Sequence, residues 1–272
     1  SVPQRFHDLP LAGDVRRAPN PDANYDLVVA VDCADESRMG WAYAALPEPK
    51  PTLANIDHHI TNTRFGAFNI VEPAASSTAE ILCRFLADIG VTMTRGIADS
   101  LLTGIVTDTM GFRTTNVTAT TLRAAADLVD CGADIADISL RALHRRPLAT
   151  AQMWGLGLGR MKFQDGLLWT SIARDEMRRM GVDGSPSSSG LVNFLADVEG
   201  VAIGAVLSEM PNENVRVGMR AVPPYNVAEV AVQLGGGGHA LAAGCTLDGP
   251  LAQAEATVVA ACLDAIRRQR PH

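Results

Sequence analysis

The stretch Leu53–Gly66, LANIDHHITNTRFG, runs from an apolar segment straight into an acid and two consecutive histidines, in a chain that has only six histidines in 272 residues. Read from Thr52, TLANID is too short and too continuously apolar for an amphipathic helix and has the length of a buried strand. Upstream, DLVVAVDCAD from Asp26 has the same form, an apolar run that ends in acids. Near-continuous apolar runs of this kind are expected for parallel strands covered on two faces. Between them, ESRMGWAYAAL has the length of a short crossover helix. Strand, helix, strand predicts an open α/β sheet. In such sheets ligands bind beyond the carboxyl ends of the strands, which directs Asp32, Asp57 and His58 to one crevice.

The pattern continues on both sides. AFNIVEP (67–73) reads as a further extended segment. SSTAEILCRFLADIG (76–90) reads as a helix capped by Ser76 or Ser77 with Glu80 early in it. RGIADSLLTGIVTDT (95–109) places Ile97, Leu101, Ile105 and Val106 on one helical face and ends near Asp108. NVTATTLRAAADLVDCGAD and ADISLRALHRR follow as helices, and the basic cluster before Pro147 sets a domain boundary near residue 145. ATAQMWGLGLGRM (149–161) reads as a connecting helix, with the linker placed over 146–160. From there the pattern turns to hairpins, with a Gln-Asp-Gly turn in GRMKFQDGLLWTSI and a Pro-Asn-Glu-Asn turn between VAIGAVLSEM and NVRVGMRAV. VDGSPSSSG reads as a loop, LVNFLADVEG as a short helix, and AEATVVAACLDAIRRQR as a long one.

Composition narrows the function. A formal net charge of −7 gives no general support to binding duplex DNA. The five cysteines contain no CxxC pair and read as reduced thiols of a cytoplasmic protein. No apolar run is long enough to span a bilayer, so no membrane is expected as a partner. Residues 1–26 show little patterned structure.

Asp32, Asp57, His58 and Asp108 each follow an apolar element. Carboxylates and imidazoles suit Mn²⁺ and related divalent cations, where thiolates would favour zinc. A carboxylate such as Asp32 can bridge two ions about 3.5–4 Å apart and bracket a phosphate ester. His58 and His59 cannot project in one direction from a regular strand. One would then serve a metal, and the other the substrate or the loop. A strand-end aspartate also serves as a turn or helix cap, and a histidine near a core as a packing residue, so these residues alone leave metal and acid–base chemistry both open. In GGGGH (Gly235–His239), successive glycines let backbone N–H groups curl around an anion, and His239 can donate to it; a flexible turn is the plainer reading. Arg216 and Arg220 alternate on one predicted strand.

Taken in order, VDCAD, NIDHHITNTRFG, AASSTAEIL, GIVTDTMGFR and GGGGHALAAG, spanning Asp26 to Gly244, resemble the DHH family of phosphoesterases. The resemblance is to its small two-domain branch of nano-RNases and 3′-phosphoadenosine 5′-phosphate phosphatases, and to actinobacterial members that hydrolyse pApA and cyclic dinucleotides. It implies a parallel-sheet α/β DHH domain over 1–145 and a smaller α/β DHHA1 domain over 161–272. It implies two Mn²⁺ ions, with Mg²⁺ or another divalent ion as substitute. Asp32 would bridge them, and His58 and Asp108 would bind the second. Asp57 would orient the histidine loop, and His59 and Arg113 would reach the phosphate. Arg220, Gly235, Gly236, Gly237, Gly238 and His239 would hold the nucleotide or terminal phosphate. The implied substrates are short RNA, linear dinucleotides and adenosine bisphosphate, and the implied assembly is a homodimer. One departure stands out. The family's opening His-x-x-Pro-Asp-x-Asp has no counterpart, since APNPDAN (18–24) lacks the histidine and the second acid. The expectation is a DHH domain without its first strand, one metal site short of ligands, and impaired turnover by this chain. A nucleotide-binding module without turnover is the alternative from another class; a pyrophosphatase or polyphosphatase is the alternative enzyme.

Overall fold

A computed structural model describes residues 2–20, 22–181 and 189–270; most of the expected VDGSPSSSG loop lies outside the described residues. The backbone divides into two compact units, Ser1–Arg145 and Arg146–His272.

The first unit is built on three parallel strands, β1 (Leu27–Val31), β2 (Thr52–Asp57) and β3 (Phe68–Val71), in the order β1-β2-β3. Val31 pairs with Ile56, and Asp57 with Val71, so Asp32 and Asp57 both stand at carboxyl ends of strands. The crossover from β1 to β2 is a 3₁₀ turn (Glu36–Met39) followed by the short helix α1 (Gly40–Ala44). Helices α2 (Thr78–Asp88), α3 (Arg95–Asp108) and α4 (Ala119–Asp130) form the helical layer. Each starts where a hydroxyl satisfies an orphan backbone donor: Ser77 accepts from Glu80 N–H, Thr94 from Ile97 N–H, and Thr118 from Thr121 N–H. Ala98, Leu102, Ile105 and Val106 of α3 are wholly buried, at the spacing of one helical face. A Cβ on Gly104 would lie 2.7 Å from that of Ala79, so α2 and α3 pack closely at this glycine. The helix expected over ADISLRALHRR divides into α5 (Ile135–Ser139) and a π-helical turn, Leu140–His144.

One expectation fails. β1 is not covered on two faces: Leu27, Val29 and Val31 are 49%, 48% and 47% exposed. β1 is an edge strand, and its alternate side chains point to a face left open among the described residues.

The second unit is a six-stranded mixed sheet in the order β4-β5-β6-β7-β9-β8. Its strands are β4 (Lys162–Gln164), β5 (Leu167–Ile172), β6 (Ile203–Glu209), β7 (Val215–Ala221), β8 (Gly237–His239) and β9 (Ala242–Leu247). Only the β5–β6 pair is parallel. The predicted Gln-Asp-Gly turn joins β4 to β5 with both Asp165 (φ 48°) and Gly166 (φ 89°) left-handed, as a tight hairpin requires. On one face, α9 (Val227–Gln233) and α10 (Leu251–Gln269) bury Val227, Val230, Val258 and Cys262 against Ile203, Val217 and Met219. On the other, α6 (Leu148–Leu158), α7 (Arg174–Arg179) and α8 (Ser189–Ala196) cover Leu168, Ile172 and Val206. The expected connecting helix α6 is therefore part of a core: Met153 is fully buried, and a Cβ on Gly157 would meet Leu191 at 2.7 Å. No helix among the described residues is long and apolar enough to cross a membrane.

Candidate metal centre and substrate-binding residues

In the first unit the ends of β1, β2 and α3 bring Asp32, His58 and Asp108 together. Nε2 of His58 lies 3.1 Å from Asp108 Oδ2 and 3.7 Å from Asp32 Oδ1. On its other side, Nδ1 of His58 lies 3.3 Å from the Ala75 carbonyl. A carbonyl only accepts, so Nδ1 carries the proton of the neutral ring and Nε2 presents its lone pair to the two carboxylates. Three electron-pair donors then face one another with no proton between them. That arrangement is unfavourable unless a proton or a metal cation sits among them. Burial pushes the Asp108 carboxyl above the ordinary carboxylate range; the His58 ring opposes this, and the Asp32 charge adds to it.

Asp32 follows β1 with φ 61°, a left-handed backbone that aspartate tolerates better than most residues. Its N–H is held by the Ile56 carbonyl at 3.0 Å, and its Oδ1 accepts from the Thr78 hydroxyl at 2.8 Å.

Asp57 is fully buried. His59 Nδ1 donates to its Oδ1 at 2.7 Å, and the Asn62 amide donates to its Oδ2 at 2.6 Å. Burial alone would raise the Asp57 carboxyl, but the Asn62 and His59 bonds outweigh it and hold the group below the usual carboxylate range. With Nδ1 committed to Asp57, His59 turns Nε2 outward. One ligand atom from each of Asp32, His58 and His59 lies within 4.8 Å of the other two. The set that meets this spacing includes His59, while Asp108 adjoins it through His58. Arg113 is exposed in the turn after α3, with its backbone N–H on the Thr109 carbonyl.

Asn55 and Asn62 were not foreseen as site residues. The same Asn62 nitrogen, with two hydrogens to share, also lies 2.8 Å from Asn55 Oδ1 and 3.0 Å from the Cys33 carbonyl, tying the loop after the histidines to the end of β1. A buried strand-end aspartate needs donors close by, and Asn62 stands within the opening stretch itself. The buried Glu80 forms a second hub, its Oε2 accepting from Ser76 N–H, Ser76 Oγ and Thr121 Oγ1 at 2.9, 2.7 and 2.9 Å.

In the second unit the glycine run differs from a curled loop. Gly235 (φ 75°) turns the chain, and Gly237–His239 then forms β8, antiparallel to β9. Close approach is the reason. A Cβ on Gly236 would collide with the Gly244 carbonyl, and one on Gly238 would lie 2.6 Å from the Ala242 carbonyl. Nothing stands within 4 Å of where a Gly237 Cβ would be. Across the strands, Arg220 pairs with Ala242, and Ala242 with His239, which puts Arg220 and His239 on one face of the sheet. Arg220 is half-buried, donates from Nη1 to the Met219 carbonyl at 3.0 Å, and has its pKa lowered by burial.

Comparison with known proteins matches two family models in chain order. The N-terminal domain of the DHH family matches residues 2–105, and the DHHA1 domain matches residues 184–268. A bifunctional oligoribonuclease and PAP phosphatase of Thermus thermophilus is 35% identical over 223 residues, covering 82% of this chain. The chain spans 65% of that relative's length. A second protein of that description, from Bacillus subtilis, is 25% identical over 81% of the chain and 70% of its own length. The crystal structure of an exopolyphosphatase-related protein from Bacteroides fragilis superposes with a TM-score of 0.87 at 22% identity, over 98% of this chain and 81% of that one, which supports the fold. The parallel α/β unit with its Asp-His-His turn is a DHH domain and the mixed-sheet unit with its glycine strand a DHHA1 domain, and the chain is homologous to proteins described as bifunctional oligoribonuclease and PAP phosphatase.

Proposed function

We propose that the chain serves a divalent-cation-dependent phosphoesterase acting on short oligoribonucleotides and linear dinucleotides such as pApA, and on 3′-phosphoadenosine 5′-phosphate. The observation that carries this reading is the facing of His58 Nε2 with Asp32 and Asp108, within 3.7 and 3.1 Å. Oxygen and imidazole donors without thiolate suit Mn²⁺ or Mg²⁺. A cation bound there supplies Lewis-acid polarisation of a phosphoryl oxygen and a lowered pKa for bound water. Asp32, His58 and Asp108 would hold it, and Asp32 would be the carboxylate shared between two ions. Asp57 fixes the His59 ring, which leaves Nε2 to meet the phosphate, and Arg113 is a further phosphate contact. In the second unit, Arg220 and His239 offer charged or polar donors on one face, and the open surface over Gly237 admits a nucleotide. The substrate class is supported by the names of the relatives, oligoribonuclease and PAP phosphatase.

Hydrolysis of pApA adds water to the bridging phosphorus and breaks its bond to the 3′ oxygen, releasing two AMP. The test is AMP release with Mn²⁺ and with chelator, by the parent and by Asp32→Ala and His58→Ala. Expected is Mn²⁺-dependent release that falls at least about 100-fold in each variant. Release that survives chelation or both substitutions refutes the reading. Mn²⁺ and nucleotide binding without any release would instead identify a binding module.

A further inference from the structure

We infer that Thr78, at the first turn of α2, is the positioning residue that aims the Asp32 carboxylate at the metal centre; this rests on the metal reading above. Asp32 is an exposed side chain at the end of an edge strand, in a left-handed backbone conformation. Left to itself, such a carboxylate samples several rotamers, and ordering it would weaken cation binding. The Thr78 hydroxyl removes that freedom: it donates to Asp32 Oδ1 at 2.8 Å, while Oδ1 lies 3.7 Å from His58 Nε2. Oδ2 and the remaining Oδ1 lone pair are left for a cation. A hydroxyl can donate only once, so its proton is committed to the carboxylate.

Thr78 is itself held in place. It is buried, 6% exposed, and its β-branched side chain has little rotamer freedom in a helix. The turn that delivers it is fixed by three groups. Ser77 caps α2 by accepting from Glu80 N–H, the Glu80 carboxylate grips Ser76 N–H and Oγ, and Asn116 donates to the Ser76 carbonyl at 3.3 Å. Glu80 in turn accepts from Thr121 at the start of α4. Hydrogen bonds thus run from the α4 terminus to the turn at Ser76–Ser77, and the backbone of that turn carries Thr78 to a proposed metal ligand. A helix-start threonine usually turns its hydroxyl to its own helix or to water; this one turns away and reaches a residue 46 positions earlier in the chain.

Outer partners that orient a ligand typically govern about 10–100-fold of metal affinity. The experiment titrates Mn²⁺ into the full chain, reading free ion by electron paramagnetic resonance, for the parent, Thr78→Val, Thr78→Ala and Thr78→Ser. Thermal unfolding in chelator reports folding, and Thr78→Ala is read in place of Thr78→Val should the valine variant not fold. Expected is affinity about 10–100-fold weaker in the variants without a hydroxyl, with Thr78→Ser restoring it to within about threefold. Parent-like affinity in a folded variant without the hydroxyl overturns the inference while leaving the metal reading intact. Equal losses in Thr78→Ser and Thr78→Val overturn it too, because then packing and not the hydroxyl matters. A parent that binds no Mn²⁺ overturns both readings.

Discussion

Asn62→Ala removes the donor that the buried Asp57 depends on most. In the parent the Asn62 amide reaches Asp57 Oδ2, Asn55 Oδ1 and the Cys33 carbonyl, and its Oδ1 accepts from Arg64 N–H at 2.7 Å. A hydrogen bond to a charged group contributes about 1.5–3 kcal/mol and a neutral one about 1 kcal/mol. The bond to Asp57 is charge-assisted and its acceptor residue is fully buried, while the one from Arg64 N–H is exposed, where water can replace the lost amide. A loss of about 3 kcal/mol follows, or a fall in Tm of about 6–12 °C for a domain of this size. Differential scanning fluorimetry in chelator measures it without the metal. The pH dependence separates this explanation from a mere packing defect. In the folded protein the Asp57 carboxyl is held below its ordinary value. Its contribution is complete above the unfolded pKa of about 3.9 and is lost as pH falls through the lower folded value. Removing Asn62 removes part of that contribution, so the gap between parent and variant is wide at pH 7 and narrows below about pH 4. A Tm within about 2 °C of the parent, or a gap that does not change with pH, refutes the reasoning.

Two further outcomes follow from the second unit. Gly236→Ala and Gly238→Ala force a methyl against the β9 backbone and destabilise by about 1–3 kcal/mol, whereas Gly237→Ala, with open space at its Cβ, unfolds within about 0.5 kcal/mol of the parent; urea denaturation of the three variants checks the contrast. Burial pushes the Cys262 thiol up to about 12, the neighbouring Cys245 adding to it, so iodoacetamide at pH 8 leaves Cys262 unlabelled in the folded chain and labels it in urea, by peptide mass.

The legible parts of the fold were those whose signal is local. TLANID and DLVVAVDCAD declare parallel strands because their apolar runs are continuous, and Asp165-Gly166 declares a hairpin because its turn needs left-handed residues. The face of β1 was misread since a run of Leu27, Val28, Val29 and Val31 looks the same whether one side or both are covered; coverage is decided by other elements. The glycine run was misread for a related reason. Glycine signals conformational freedom and close approach alike, and at Gly236 and Gly238 it is the approach of β9, about five residues on, that requires it. At the candidate metal centre, the acids and histidines stood out by type. Thr78 and Asn62 did not, because a threonine at a helix start and an asparagine in a loop are commonplace for capping and turning. Thr78 acts on a partner 46 positions away, which no local pattern encodes; Asn62 acts on Asp57 within the same stretch, and only its further tie to Cys33, 29 positions away, is out of local reach.

The open side of β1 bears on how the chain behaves in different salts. Leu27, Val29 and Val31 form an apolar strip beside a strand edge that no other described strand pairs with, a surface on which copies of a chain can pair. Opposing this is a net charge of −7, which keeps copies apart at low ionic strength. The repulsion reaches about 30 Å at 0.01 M salt and only about 8 Å at 0.15 M. Salt therefore shortens the protection and leaves the strip unchanged, so this edge is less guarded at about 0.15 M salt than at about 0.01 M.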